Sequence, residues 1–211
     1  ASTILFNTMQ EMYKHELKIK KHKKVSHFTY GRYGSTTTIE LENILKELEQ
    51  AYHVFLTGTG FGGIALALMA LCRPGDEILV SDNVYGPTKE ISQELMKEFK
   101  VDAKFYNPDS LDDLKRKISH KTKMILVENP GSNTFEFQDL SKIVKVAKRK
   151  KIFTLLDNTW GTPLYLKPLK LGFDMSFCSA TKYFSGHSDA MGGSLAVNQK
   201  VFKKIMFFYK L

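Results

Sequence analysis

Cysteine is nearly absent from this chain of 211 residues, with only Cys72 and Cys178 present. Neither belongs to a CxxC or Cys/His spacing, so a disulfide framework and a zinc-ribbon type of metal site are excluded. Both lie in apolar segments and read as buried thiols of a reducing, cytoplasmic setting. Long apolar runs are also missing. The longest covers residues 64–72, and a membrane span needs about 20 residues. Arginine is scarce: Arg32, Arg73, Arg116 and Arg149 stand among 31 basic residues. The formal charge of +9 is therefore carried by Lys, whereas readers of bases and phosphates lean on the Arg fork. The densest basic stretch, residues 14–24, holds neither Arg nor interleaved aromatics and reads as a solvated arm. Nucleic acid and membrane are not expected partners. No repeat, low-complexity linker or signal-peptide pattern is legible in a chain that begins at Ala1.

What is present is an ordinary globular composition, 43% hydrophobic and 25% charged. The chain alternates strand and helix patterns. Strands are read at 52–56, Glu77–Ser81, 103–106, 124–127, 152–156, Met175–Cys178 and 194–197. Helices are read at 64–71, 88–99, 111–118, 140–147 and 201–209. In the second of these, Ile91, Leu95 and Phe99 share one face; in the fourth, Leu140, Ile143, Val144 and Ala147 do. Alternation with near-continuous apolar strands predicts an α/β fold, a mostly parallel sheet covered by helices. Ligands of such sheets lie beyond the carboxyl ends of the strands. That rule selects five segments: 57–63, 82–85, 128–133, 157–160 and 179–182.

The first holds Gly58-Thr59-Gly60-Phe61-Gly62-Gly63. Read literally, it contains G-x-G-x-x-G with Asp82 at the end of the next strand, a dinucleotide fingerprint. Its physics is less specific, because glycines before a helix admit any phosphate to free N–H groups, or serve tight helix–sheet packing. Asp157, leaving an apolar strand, is a functional carboxylate or a helix cap. Ser179-Ala180-Thr181-Lys182 is a surface turn or a site for phosphate and amine chemistry. Taken together, these are the parts a pyridoxal phosphate site needs: a phosphate anchor, a carboxylate for the ring nitrogen and a Lys for the aldehyde. Tyr85 is placed to cover the ring. A nicotinamide dehydrogenase would leave Asp157 and residues 179–182 without a use.

The motifs also carry a resemblance. Tyr30-Gly-Arg-Tyr-Gly-Ser-Thr36, the stretch Asp82 to Tyr85, Glu128-Asn-Pro-Gly-Ser132, Asp157-Asn-Thr-Trp160, and Ser179-Ala-Thr-Lys-Tyr183 running into Gly186-His-Ser-Asp-Ala-Met191 resemble the cystathionine-metabolising, trans-sulfuration family of pyridoxal phosphate enzymes. Glu-Asn-Pro-Gly-Ser, Asp-Asn-Thr-Trp and His-Ser-Asp-Ala-Met lean toward its β-lyase branch. The resemblance implies the large domain of a fold-type I pyridoxal phosphate-dependent transferase. Residues 1–50 would be an N-terminal arm and first helix, and residues 51–211 the cofactor-binding large domain. It implies that Lys182 holds the cofactor, that Asp157 pairs with its ring nitrogen and that Tyr85 stacks on the ring. The amides of Gly60 and Phe61 and the hydroxyls of Ser179 and Thr181 would bind the phosphate. Phe61 departs from the family pattern, which a role confined to its N–H tolerates. Tyr30 and Arg32 would reach the site of a neighbouring subunit in a homodimer or homotetramer.

The implied reaction is β-elimination of cystathionine, a small amino-acid substrate. Lys182 takes the Cα proton, homocysteine leaves, and hydrolysis yields pyruvate and ammonia. Family chains are about twice as long, so the smaller C-terminal domain and its substrate-carboxylate Arg are expected to be absent here. Two alternatives stay open: γ-synthase or γ-lyase chemistry on the same cofactor, including methionine γ-lyase activity, and an inactive remnant. The helix at 201–209, with Phe202, Ile205, Met206 and Tyr209 on one face, is expected to have little to pack on. His187 reads equally as a catalytic group or a structural hydrogen bond.

Overall fold

Alternate residues of the central strands enter opposite cores. In β4 (Thr122–Glu128), Met124 and Leu126 join one buried cluster while Ile125 and Val127 join another. The same alternation splits Ile78 and Val80 from Leu79 in β2 (Glu77–Ser81). Strands buried on both faces need helices on both faces, and the chain supplies them. The computed structural model describes residues 6–22 and 34–210. Among these, β1 (His53–Thr57), β2, β3 (Asp102–Tyr106), β4, β5 (Phe153–Asp157), β6 (Met175–Cys178) and β7 (Gly193–Val197) form one sheet in the order β1-β7-β6-β5-β4-β2-β3. The pairs β2–β3, β2–β4, β4–β5 and β5–β6 are parallel. Strand β7 runs antiparallel to both β6 and β1. The sheet is thus mostly parallel, as expected.

One face carries α3 (Gly60–Leu71) and α10 (Gln199–Tyr209); the other carries α6 (Leu111–Lys117), α7 (Leu140–Lys150) and, over β1 and β7, α2 (Thr36–Glu49). Helix α7 follows its sequence closely. Leu140, Ile143, Val144 and Ala147 are buried, the Asp139 side chain caps the start by accepting from Lys142 N–H, and Lys148, Arg149 and Lys150 complement the dipole at the end. Short helices α8 (Thr162–Tyr165) and α9 (Pro168–Leu171) join β5 to β6. Helix α1 (Met9–His22) precedes α2, so part of the basic stretch read as an arm is helical. Among the described residues no helix is long and apolar enough to cross a membrane. Cys72 and Cys178 are both free and buried.

Two expectations need correction. The helix read at 88–99 is three pieces: α4 (Gly86–Glu90), a π-helical turn (Ile91–Leu95) and α5 (Met96–Glu98). Met96 N–H donates to Ile91 O, five residues back. The wider turn swings Met96 into the core beside Ile91 and leaves Leu95 and Phe99 exposed. The i, i+4 face of the sequence therefore belongs to solvent at two of its three positions. Second, α10 does have a partner. Val201 and Ile205 are fully buried, and Phe202 and Met206 pack on the same cluster. The partner is α3, which buries Ile64, Ala67, Leu68 and Leu71 and so presents apolar surface to both the sheet and α10. Ile205→Ala is expected to cost about 2–5 kcal/mol, read as a lower urea midpoint at unchanged slope.

Candidate active site

Beyond the carboxyl ends of β2, β4, β5 and β6 and the start of α3 lies a cavity of about 790 Å³. Gly60, Phe61, Tyr85, Asp157, Ser179, Thr181 and Lys182 all line it. Seven of the nine residues singled out in the sequence, spread from position 60 to position 182, thus share one space. The other two, Tyr30 and Arg32, lie outside the described residues.

At one wall stands the start of α3. Thr59 caps it, its hydroxyl accepting from Gly62 N–H at 3.1 Å. The amides of Gly60 and Phe61 belong to the first turn, where no carbonyl four residues back is available within the helix. With the positive end of the dipole they favour an anion. A Cβ on Gly60 would fall 2.8 Å from Ser179 Oγ, so the bare α-carbon lets the Ser179 hydroxyl stand against the helix start. Ser179 is fixed in turn by its N–H, which donates to Thr159 Oγ1 at 2.9 Å. The Thr181 hydroxyl accepts from Gly192 N–H at 3.1 Å and lies 3.3 Å from Gly192 O. In the same turn, Lys182 N–H donates to Ser179 O at 3.1 Å. Lys182 is the one basic side chain among the described lining residues.

The floor is acidic. Asp157 ends β5 and Glu128 ends β4, and the two are opposite each other in the parallel register. Each is only 8% exposed. Burial raises the Asp157 carboxyl to about 6, against the pull of the Thr159 side chain and N–H. Burial and the neighbouring Asp157 charge raise Glu128 to about 7, against the Tyr85 N–H and the Ser132 side chain. The Tyr85 N–H donates to Glu128 Oε2 at 2.7 Å. Behind them, Gln138 joins the strand ends: its Nε2 donates to Ser81 Oγ at 2.9 Å and Glu128 O at 3.1 Å, and its Oε1 accepts from the Tyr106 hydroxyl at 2.8 Å. The segment after β4, with its cis Asn129–Pro130 bond, is held to the turn after β2 by Ser132 N–H donating to Asn83 O at 2.9 Å. The floor is therefore rigid, and Tyr85 is tied to it by its backbone.

Glu128, which lies in one of the five selected segments, and Thr88 are lining residues to which sequence reasoning gave no role. For Glu128 a signal existed, since it closes an apolar strand just as Asp157 does. Thr88 gave none; its hydroxyl is buried without a partner among the described residues, while its carbonyl accepts from Ser92 Oγ. Asp82, the acid of the dinucleotide reading, pairs with Lys89 at 2.8 Å and does not line the cavity. His187 Nδ1 lies 2.7 Å from Ser185 O, a local hydrogen bond outside the cavity wall.

Comparison with known proteins fits this geometry. The family model described as Cys/Met metabolism PLP-dependent enzyme matches residues 1–210. A cystathionine beta-lyase of Bordetella avium is 33% identical over 204 residues, 97% of this chain and 50% of that protein. An L-alanine/L-glutamate racemase of Wolbachia pipientis is 33% identical over 183 residues, 87% of this chain and 45% of that protein. The crystal structure of a cystathionine gamma-lyase from Lactobacillus plantarum, complexed with L-serine, superposes with a TM-score of 0.85 at 26% identity, covering 99% of this chain and 51% of that one. The chain spans about half the length of the curated relatives it matches. With the family model matched over residues 1–210, the chain belongs to the Cys/Met metabolism family of PLP-dependent enzymes.

Proposed function

We propose that this chain forms the cofactor-binding part of a carbon–sulfur lyase that cleaves cystathionine or a similar thioether amino acid by β-elimination. The observation that carries the reading is a single cavity holding a helix start with two hydroxyls, a buried carboxylate and one Lys. The residues fit pyridoxal phosphate. Gly60 leaves space where a Cβ would press on Ser179, and among the described lining residues Lys182 is the one cation beside the acidic floor. Bound there, the cofactor supplies an aldehyde that captures amines and a cationic ring that accepts electrons from the substrate Cα.

The chain's own groups do the rest. The amides of Gly60 and Phe61 and the Ser179 hydroxyl hold phosphate oxygens, and Thr181 exchanges its contact with Gly192 O for one more. Asp157 keeps the proton on the ring nitrogen, and its burial makes that ion pair stronger than it would be in water. Tyr85 covers the ring face. Lys182 Nζ would hold the cofactor's aldehyde and, when free of it, would accept the substrate Cα proton, while the electron-accepting ring would supply the stabilisation that lets a thiolate depart from Cβ. Tyr30 and Arg32 act on the site of a second copy, in a homodimer or homotetramer.

Asp157→Asn keeps the shape of the floor and removes its charge. It is expected to weaken cofactor binding about 10–100-fold, the range of one hydrogen bond to a charged group, as measured by titrating the visible absorbance of the protein–cofactor complex. The reaction is tested by supplying cystathionine to the loaded protein. Pyruvate with homocysteine supports β-elimination. A four-carbon oxoacid with cysteine supports the γ-reading that the Lactobacillus likeness favours; with L-alanine supplied in place of cystathionine, its racemisation supports the reading that the Wolbachia relative favours.

A further inference from the structure

Two acids close neighbouring strands at this site, and the chemistry above uses only one. Glu128 is buried as deeply as Asp157 and stands in register with it. Its Oε2 accepts the Tyr85 N–H at 2.7 Å. The other described groups near the pair are the Ser132 side chain beside Glu128, Thr159 and Cys178 beside Asp157, and Lys182 and Tyr183 in the lining of the same cavity. Lys182 is the single cation among them, and in the function proposed above it is committed to the cofactor. Two desolvated carboxylates side by side resist ionising together. The empty floor therefore keeps a proton, and a cation docked at Asp157 removes the reason for keeping it.

We propose that Glu128 is a positioning residue of the cofactor site, which holds a proton while the site is empty and releases it to solvent when the cationic ring nitrogen docks at Asp157. This rests on the cofactor reading above. The balance is simple. One carboxylic O–H bond breaks, the proton goes to water, and no electrons change hands. Two carboxylates then face one ring cation. With its full charge, Glu128 accepts the Tyr85 N–H more strongly and holds the Tyr85 turn more firmly in place. Cofactor docking, proton release and the tightening of that hold become one event.

The test compares wild type, Glu128→Gln and Glu128→Asp. Gln keeps an oxygen for the Tyr85 N–H and removes the charge; Asp keeps the charge and shortens the reach. The dissociation constant of pyridoxal phosphate is measured across the pH range of the pair. Titration of the cofactor and of Lys182 is common to all three proteins, so only differences in steepness count. The expected result is a log Kd against pH in Glu128→Gln that is shallower by up to about one proton, while Glu128→Asp keeps the wild-type steepness and binds more weakly throughout. Parallel curves for wild type and Glu128→Gln would assign Glu128 a purely structural hold on the turn and overturn the proposal alone. A wild type that binds no cofactor would overturn the lyase reading together with it.

A second readout needs no cofactor. Folded Glu128 keeps its proton up to about 7, above the ordinary carboxylate value of 4.5, so the folded state binds more protons than the unfolded state in that window. Wild-type stability should fall as pH rises through the window, and the fall should be smaller in Glu128→Gln, where Asp157, Glu42 and Glu49, also raised by burial, still contribute theirs. Identical melting temperatures for the two proteins at both ends of the window would remove the shared proton itself. The same melts show that the variant folds.

Discussion

Replacing Lys182 with Ala is expected to abolish the visible absorbance that the protein gains with pyridoxal phosphate, and to leave its melting temperature without cofactor unchanged. The first half follows from the lining of the cavity. No other described basic side chain reaches it, so no neighbour can take over the aldehyde. The second half follows from the side chain's position. Lys182 is exposed, and its backbone, which holds the turn through Ser179 O and Gly186 N–H, is untouched by the substitution. Any residual elimination should fall on the order of 10²–10⁴-fold, the usual contribution of a positioned proton acceptor. Retention of the absorbance in the variant would mean that another amine holds the cofactor, and the site as assembled here would be wrong. Loss of both absorbance and stability would mean instead that Lys182 is structural.

Gly193→Ala should have the largest effect on folding of any single-methyl change near the site. A Cβ there would stand 2.6 Å from Thr57 Oγ1, 2.7 Å from Thr59 O and 3.0 Å from Gly60 Cα. Two of those three atoms are backbone and cannot swing away. Gly193 faces Thr57 across the β1–β7 pair, so the added methyl pushes the start of α3 off the sheet. Overpacking of this kind costs typically about 1–3 kcal/mol, and more where backbone must yield; a value near 3 lowers the Tm of a chain this size by roughly 6–12 °C. Because the displaced atoms include Gly60, phosphate binding should suffer with stability. Scanning calorimetry and a cofactor titration on the same variant check both. A variant as stable as wild type would show that α3 can shift freely, and the anion site would then not be rigid.

Much of this was legible before any coordinates. The strands announce themselves because they are buried on both faces, and burial on both faces leaves near-continuous apolar runs, as in Glu77–Ser81 and Met175–Cys178. The rule that ligands gather at the carboxyl ends of strands then brought five distant segments to one place. What stayed hidden was set by neighbours rather than by the local run. A π-helical turn has the composition of an α-helix, so the exchange of Leu95 for Met96 in the core could not be read from spacing. The partner of α10 depends on α3 having apolar surface to spare, a property of two helices together. The pairing of Glu128 with Asp157 needed the register of β4 against β5, which no motif states.

The sheet order also carries a message about time. Among the described residues, strand β1 is an edge strand and hydrogen-bonds only to β7, the last of the seven in the chain. Strands β2 to β6 can find their neighbours as the ribosome delivers them, each pairing with one made shortly before or after it. The segment around β1 and the Gly-rich turn that follows it cannot. It emerges early and must wait, unpaired, until Val197 has been synthesised, and closing so long a loop makes this the slow, non-local step of folding. The anion-binding corner is therefore the last part of the site to be assembled. A cofactor that grips that corner binds the finished sheet and not its precursors, so its presence pulls the final closure toward completion.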